Sequence, residues 1–230
     1  MNVWDRIRWS VRRQFYQARN VMVRFRIGER WEQAGGLAAR QYPDYDTYLA
    51  HQATKFGGLR WKTVEKHDRR LYEELSTRLK ALPLAFRGSS VLCLAARQGS
   101  EVRAFIDQGA FAVGIDLNPG PRNRFVVVGD FHQLQYADKS IDVVFTNSLD
   151  HAFDLSRIMK EARRVLKPSG HLIVEANMAE GDGAARGAFE SLVWTTINQL
   201  VERIEEAGFK VEKRTTFELP WKGEQIIFQP

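Results

Sequence analysis

The spacing of apolar positions changes character near residue 90. Before that point apolar residues recur every three or four positions. Trp4, Ile7, Val11, Phe15, Ala18, Met22 and Phe25 form such a stripe, which predicts an amphipathic helix over 4–26. A second helix is predicted over 45–56 and a third over 62–81, the latter with Val64, Leu71, Leu75 and Leu79 in phase. Gly57 and Gly58 separate these two, and Pro83 closes the third.

From residue 90 onward, short apolar runs alternate with helical patterns. Strands are predicted at 91–95, 112–116, 124–130, 141–147 and 171–177, with helices at 99–108, 154–166 and 184–207. That alternation predicts a Rossmann-like, doubly wound α/β fold with a mostly parallel sheet. The last two runs, "FKVEKRTTFELP" and "GEQIIFQP", are joined by a short turn around Lys222-Gly223, so the sheet should end in an antiparallel β-hairpin. The chain therefore divides into an α-helical N-terminal extension over 1–85 and an α/β domain over 86–230. No internal repeat or low-complexity segment is visible.

Charge adds one feature to this picture. The first forty residues hold nine arginines against Asp5, Glu29 and Glu32, so the whole formal excess of +6 lies there. Three readings of that basic helix stand open. It could be a solvated face capping a substrate cleft, a surface for an anionic membrane helped by Trp4, Trp9 and Phe15, or a nucleic-acid contact. Nucleic acid is not expected, because the rest of the chain is neutral and carries no recognised RNA-binding motif. A single cysteine, Cys93, excludes an intrachain disulfide framework and a cysteine-rich zinc site, and it fits a reducing compartment such as the cytoplasm. The five histidines are scattered without metal-ligand spacing, so no metal is expected. No apolar run is long enough to span a bilayer.

The candidate chemistry begins at "VLCLAARQG", a strand, a turn and a helix start with Gly99 as its sole glycine. The next strand ends in Asp116, placed to accept hydrogen bonds from two ribose hydroxyls. Such an acid suits either a dinucleotide or S-adenosylmethionine. A dinucleotide brings a pyrophosphate against the loop backbone, where Ala95 and Arg97 replace glycines and their Cβ atoms should crowd it. S-adenosylmethionine carries no phosphate and asks less of the loop.

These residues together resemble the class I S-adenosylmethionine-dependent methyltransferases, in particular the small type 11 domain. "VLCLAARQG" is similar to the family's first motif, V-L-D-x-G-x-G-x-G, and "GIDLNP" to its ribose-binding segment. "GDFHQLQYADKSIDVVFTN" and "EARRVLKPSGHLIVE" resemble the adenine-binding, fourth-strand and fifth-strand regions. The resemblance implies that S-adenosyl-L-methionine is held by Ala95, Arg97, Gly99, Asp116, Leu117, Asp130, Phe131 and Asn147. Within that set Asp130 would face the adenine amino group and Phe131 would offer its backbone N–H. Cys93 stands where the motif usually has an acid. The segment from Asp116 to Phe125 is too short for the family's second helix, and Pro119 and Pro121 oppose one. Arg97 would give the donor's carboxylate a charge-assisted partner.

His151, just past the fourth strand, is the candidate general base, with His132 and Asp150 near the same mouth. The expected activity is methyl transfer to a small molecule, a sugar or a lipid-linked precursor, with the 1–85 extension as substrate lid. Two alternatives stand beside it: a non-catalytic methyltransferase-fold scaffold, and an NAD-dependent oxidoreductase.

Overall fold

The computed structural model describes residues 30–53, 55, 61–120, 122–178 and 188–230. The helix predicted over 4–26 lies outside them. A seven-stranded sheet organises the remainder. Its strands, in chain order, are β3 (Ser90–Leu94), β4 (Phe111–Asp116), β5 (Val126–Val128), β6 (Ile141–Thr146), β7 (Leu166–Asn177), β9 (Lys210–Phe217) and β10 (Gly223–Gln229). Their spatial order is β5-β4-β3-β6-β7-β10-β9. Pairing is parallel from β5 through β7, while β10 runs antiparallel to both β7 and β9. The predicted terminal hairpin is therefore present.

The central strands are apolar on both faces, as a sheet covered by helices on each side requires. Val91, Cys93, Val143, Phe145, Ile173 and Ile227 point to one face. Two helices cover it: α2 (Trp61–Lys80), through Leu75 and Leu79, and α3 (Ser100–Asp107), through Val102 and Phe105. Leu92, Leu94, Val144, Leu172, Val174, Ile226 and Phe228 point to the other face. There α4 (Leu155–Val165) and α5 (Ile197–Glu206) complete the core. Helix α4 buries Leu155, Ile158, Met159, Ala162 and Val165, the spacing of a single helical stripe. Its N-cap, Asp154, accepts a hydrogen bond from the backbone N–H of Arg157 at 3.0 Å.

Two elements depart from the sequence reading. Residues 31–40 form a hairpin, β1 (Trp31–Ala34) and β2 (Leu37–Arg40), within the extension predicted as helical. Its two-residue turn is Gly35-Gly36, with φ of 56° and 81°, conformations glycine adopts at little cost. The helix predicted over 184–207 is also corrected, because helix α5 begins only at Ile197 and Leu192–Trp194 form strand β8. That strand pairs antiparallel with β2, Leu37 opposite Trp194, making a separate three-stranded sheet. A leucine, a valine and a tryptophan suit a buried strand, and pairing with the β2 edge fixes them in it. Thr196 then starts α5, and the Gln199 side chain accepts from the backbone N–H groups of Thr195 and Thr196 at 3.0 Å.

The other predicted helix of the extension is α1 (Tyr45–Ala53). As expected, no helix forms among the described residues between Asp116 and Phe125. Asn123 knits that segment instead: its amide donates to the carbonyls of Arg97 and Pro119 at 2.9 Å, and its oxygen accepts from Phe125 and Val126.

Candidate functional site

Strand order reverses between β3 and β6, and open α/β sheets bind ligands in the crevice beyond such a point. Two adjoining cavities of about 240 and 50 Å³ occupy it, and Ala95, Arg97, Ser148 and His151 line both. The loop between β3 and α3 forms their floor. Ala95 and Arg97 have φ of 53° and 42°, so both keep the left-handed backbone that glycine would adopt. The Arg97 N–H donates to one Asp116 carboxylate oxygen at 3.1 Å, and the Asn118 N–H donates to the other at 2.8 Å. Asp116 thus braces the loop while lining the smaller cavity. Gly99 does not reach a cavity wall. With φ of 84°, it lets the start of α3 approach Phe125, whose Cβ would lie 2.7 Å from an added side-chain carbon.

Leu117 and Phe131 line the smaller cavity beside Asp116, and Tyr48, Gln52 and Lys55 close it from the extension. Asn147 lines the larger one, where its amide donates to Glu101 at 3.0 Å. Asp130 is placed differently. Its carboxylate accepts from the Tyr45 hydroxyl, from the His132 N–H at 2.8 Å and from the His132 ring, and it lines neither cavity. Burial works against its charge, but these hydrogen bonds win and hold its pKa below the usual carboxylate range. His132 is committed as well, since its Nε2 accepts from the backbone N–H groups of Phe153 and Asp154 at 3.2 Å. The pair roots α1 on the α/β domain.

His151 lines both cavities. Its Nδ1 donates to the Phe189 carbonyl at 3.0 Å, which leaves Nε2 as an acceptor, and the Lys55 ammonium contacts it. Asp150 is 3.7 Å from the same nitrogen. Burial lowers the His151 pKa, and it lowers Lys55 to about 8 with help from Arg97. Burial thus favours the neutral imidazole, whose Nε2 faces the half-buried Lys55. Cys93 is fully buried in β3, and burial pushes its thiol pKa up.

Sequence reasoning missed Glu101, Lys55, Tyr48 and Gln52. Glu101 resembled an ordinary acid in the first turn of a helix, and only the tertiary fold encloses it. Burial raises its pKa to about 7. The other three sit in or just after a correctly predicted helix, and no local signal shows that this helix covers the cleft.

Residues 92–174 match the methyltransferase domain family model. Over 94 residues the chain is 37% identical to a demethylmenaquinone methyltransferase of Corynebacterium glutamicum, an alignment covering 38% of this chain and 41% of that protein. It is 34% identical over 68 residues to malonyl-[acyl-carrier protein] O-methyltransferase 1 of Coxiella burnetii, covering 28% of this chain and 24% of that one. The chain therefore spans less than half the length of the curated relatives it matches. Among solved structures, the fold is similar to Burkholderia thailandensis 1,6-didemethyltoxoflavin-N1-methyltransferase with bound 1,6-didemethyltoxoflavin and S-adenosylhomocysteine. That comparison gives a TM-score of 0.63 and 18% identity, over 86% of this chain and 98% of that one.

Proposed function

We propose, for a chain whose α/β domain is that of the class I S-adenosylmethionine-dependent methyltransferases, that the cleft binds S-adenosylmethionine and passes its methyl group to a small-molecule acceptor. Asp116 carries this reading: a carboxylate at the tip of β4, fixed by two backbone N–H groups, with acceptor capacity left for a ribose diol. The remaining walls fit the same group. Leu117 and Phe131 supply apolar surface for a base. The Ala95 and Arg97 side chains leave no bare glycine backbone against which a pyrophosphate could lie.

When bound, S-adenosylmethionine supplies a methyl group already activated on sulfur. The protein's part is then to align, to neutralise charge and to exclude water. Tyr48, Gln52 and Lys55 line the smaller cavity from the extension. A neutral His151 can take a proton from an acceptor once Lys55 moves off its Nε2. A small acceptor is supported by the names of the relatives, a demethylmenaquinone and a toxoflavin methyltransferase among them.

Calorimetric titration tests this reading. S-adenosylmethionine and S-adenosylhomocysteine should both bind, and Asp116→Ala should abolish binding of each. NADH should give no heat of binding. A chain that binds neither sulfur nucleoside at millimolar concentration would be a scaffold, and one that binds NADH would be an oxidoreductase.

A further inference from the structure

Glu101 is a carboxyl group enclosed by protein, 5% exposed, on the wall of the larger cavity with Arg97 and Asn147. Two of its contacts come from neutral donors: the Asn147 amide at 3.0 Å and the Ser100 hydroxyl at 3.1 Å. Burial raises its pKa to about 7, although its hydrogen bonds and, through space, Arg97 oppose this. A buried carboxyl facing a cavity under those conditions is suited to a cationic ligand group.

Its position adds a second observation. Cys93, on β3 beneath the loop, feels the Glu101 charge. Cys93 is also where the resemblance leads one to expect an acid. An acid stands eight residues later instead, in the first turn of α3.

We propose that Glu101 receives the ammonium group of the methyl donor's amino-acid end, with Arg97 on the same wall opposing the donor's carboxylate. The cleft then clamps a zwitterion between one acid and one base. This rests on the methyl-donor reading and adds to it a residue suited to the donor's ammonium group. The other ionisable groups of the cavity are Asp150 and His151 after β6 and His67 and Asp68 on α2, while Cys93 adjoins from β3.

Two ligands separate the possibilities. S-adenosylhomocysteine carries the ammonium group, and 5′-methylthioadenosine lacks the whole amino-acid end. Glu101→Gln should weaken S-adenosylhomocysteine roughly tenfold to a hundredfold and leave 5′-methylthioadenosine within about twofold. Near neutral pH, titration in buffers of different ionisation enthalpy should show wild-type protein releasing protons on binding S-adenosylhomocysteine, as the ligand's charge ionises the acid. The variant should release none. Unchanged affinity, or unchanged proton release, would overturn the assignment to Glu101 while the methyl-donor reading stands. So would lost turnover with product binding intact, which would make Glu101 part of the acceptor chemistry. Wild-type protein that binds neither ligand would overturn the methyl-donor reading itself.

Discussion

Ala95 and Arg97 hold a backbone conformation that costs a non-glycine residue on the order of 1–2 kcal/mol each, and the Asp116 hydrogen bond to Arg97 helps offset it. The loop therefore keeps its shape after losing two of its glycines. Gly99 is different, because an added carbon meets Phe125 and Val126 as well as an unfavourable φ. Gly99→Ala should lower stability by about 2–4 kcal/mol; urea unfolding with an unchanged m-value would measure it, and a loss below about 0.5 kcal/mol would show that the helix start can shift. At this scale a local strand-turn-helix pattern sets position, so Asp116 and Leu117 line the smaller cavity, whereas Gly99 packs against Phe125 instead. The sequence was silent where partners come from afar. Asp130 meets Tyr45, 85 residues away, and Glu101 meets Asn147, 46 residues away.

Helix α2 was legible from its leucine stripe, but its attachment to the sheet was not. The Arg78 guanidinium forms two hydrogen bonds with Glu175 in β7, at 2.7 and 2.8 Å, and Gln225 of β10 donates to the same carboxylate at 2.8 Å. The Glu175 side chain has no exposed surface. Arg78→Ala would leave that carboxylate buried without its cation, and the expected loss is about 3–5 kcal/mol. Chemical denaturation can check this; a change under about 1 kcal/mol would mean that water reaches Glu175. The hairpin β1–β2 did have a sequence signal, the two glycines between "WEQA" and "LAAR". The signal is easily overlooked because Ala38 and Ala39 carry little strand preference. Strand β8 had no comparable signal: three residues gain their conformation from the β2 edge, more than 150 positions earlier.

For the molecule as a whole, the sheet could be read almost complete, since strands buried on both faces stand out as short apolar runs. Which residues of the extension line the cleft could not be read. Stability against pH combines two opposing contributions. Asp130, Asp142 and Glu161 have lowered pKa values, so they stabilise the fold above the ordinary carboxylate range and lose that effect as pH falls through their folded values. Glu101 is raised to about 7, so its contribution is present at acid pH and declines as pH climbs from about 4.5 to that value. The ligand-free protein should therefore begin to lose stability as pH falls below about 4. Glu101→Gln should be more stable than wild type at pH 8, by about 3 kcal/mol at most, and nearly equal to it at pH 4. Thermal unfolding across that range would show it, and a variant less stable than wild type at pH 8 would contradict the assignment. The pairing of β2 with β8 also has a consequence for biosynthesis. Leu37 and Ala38 leave the ribosome long before Val193 and Trp194 exist, so the extension's hairpin spends most of translation with an open edge. A nascent chain stalled before residue 190 would expose that edge to other chains. Chaperone capture should be strongest in that window and end once Trp194 has emerged.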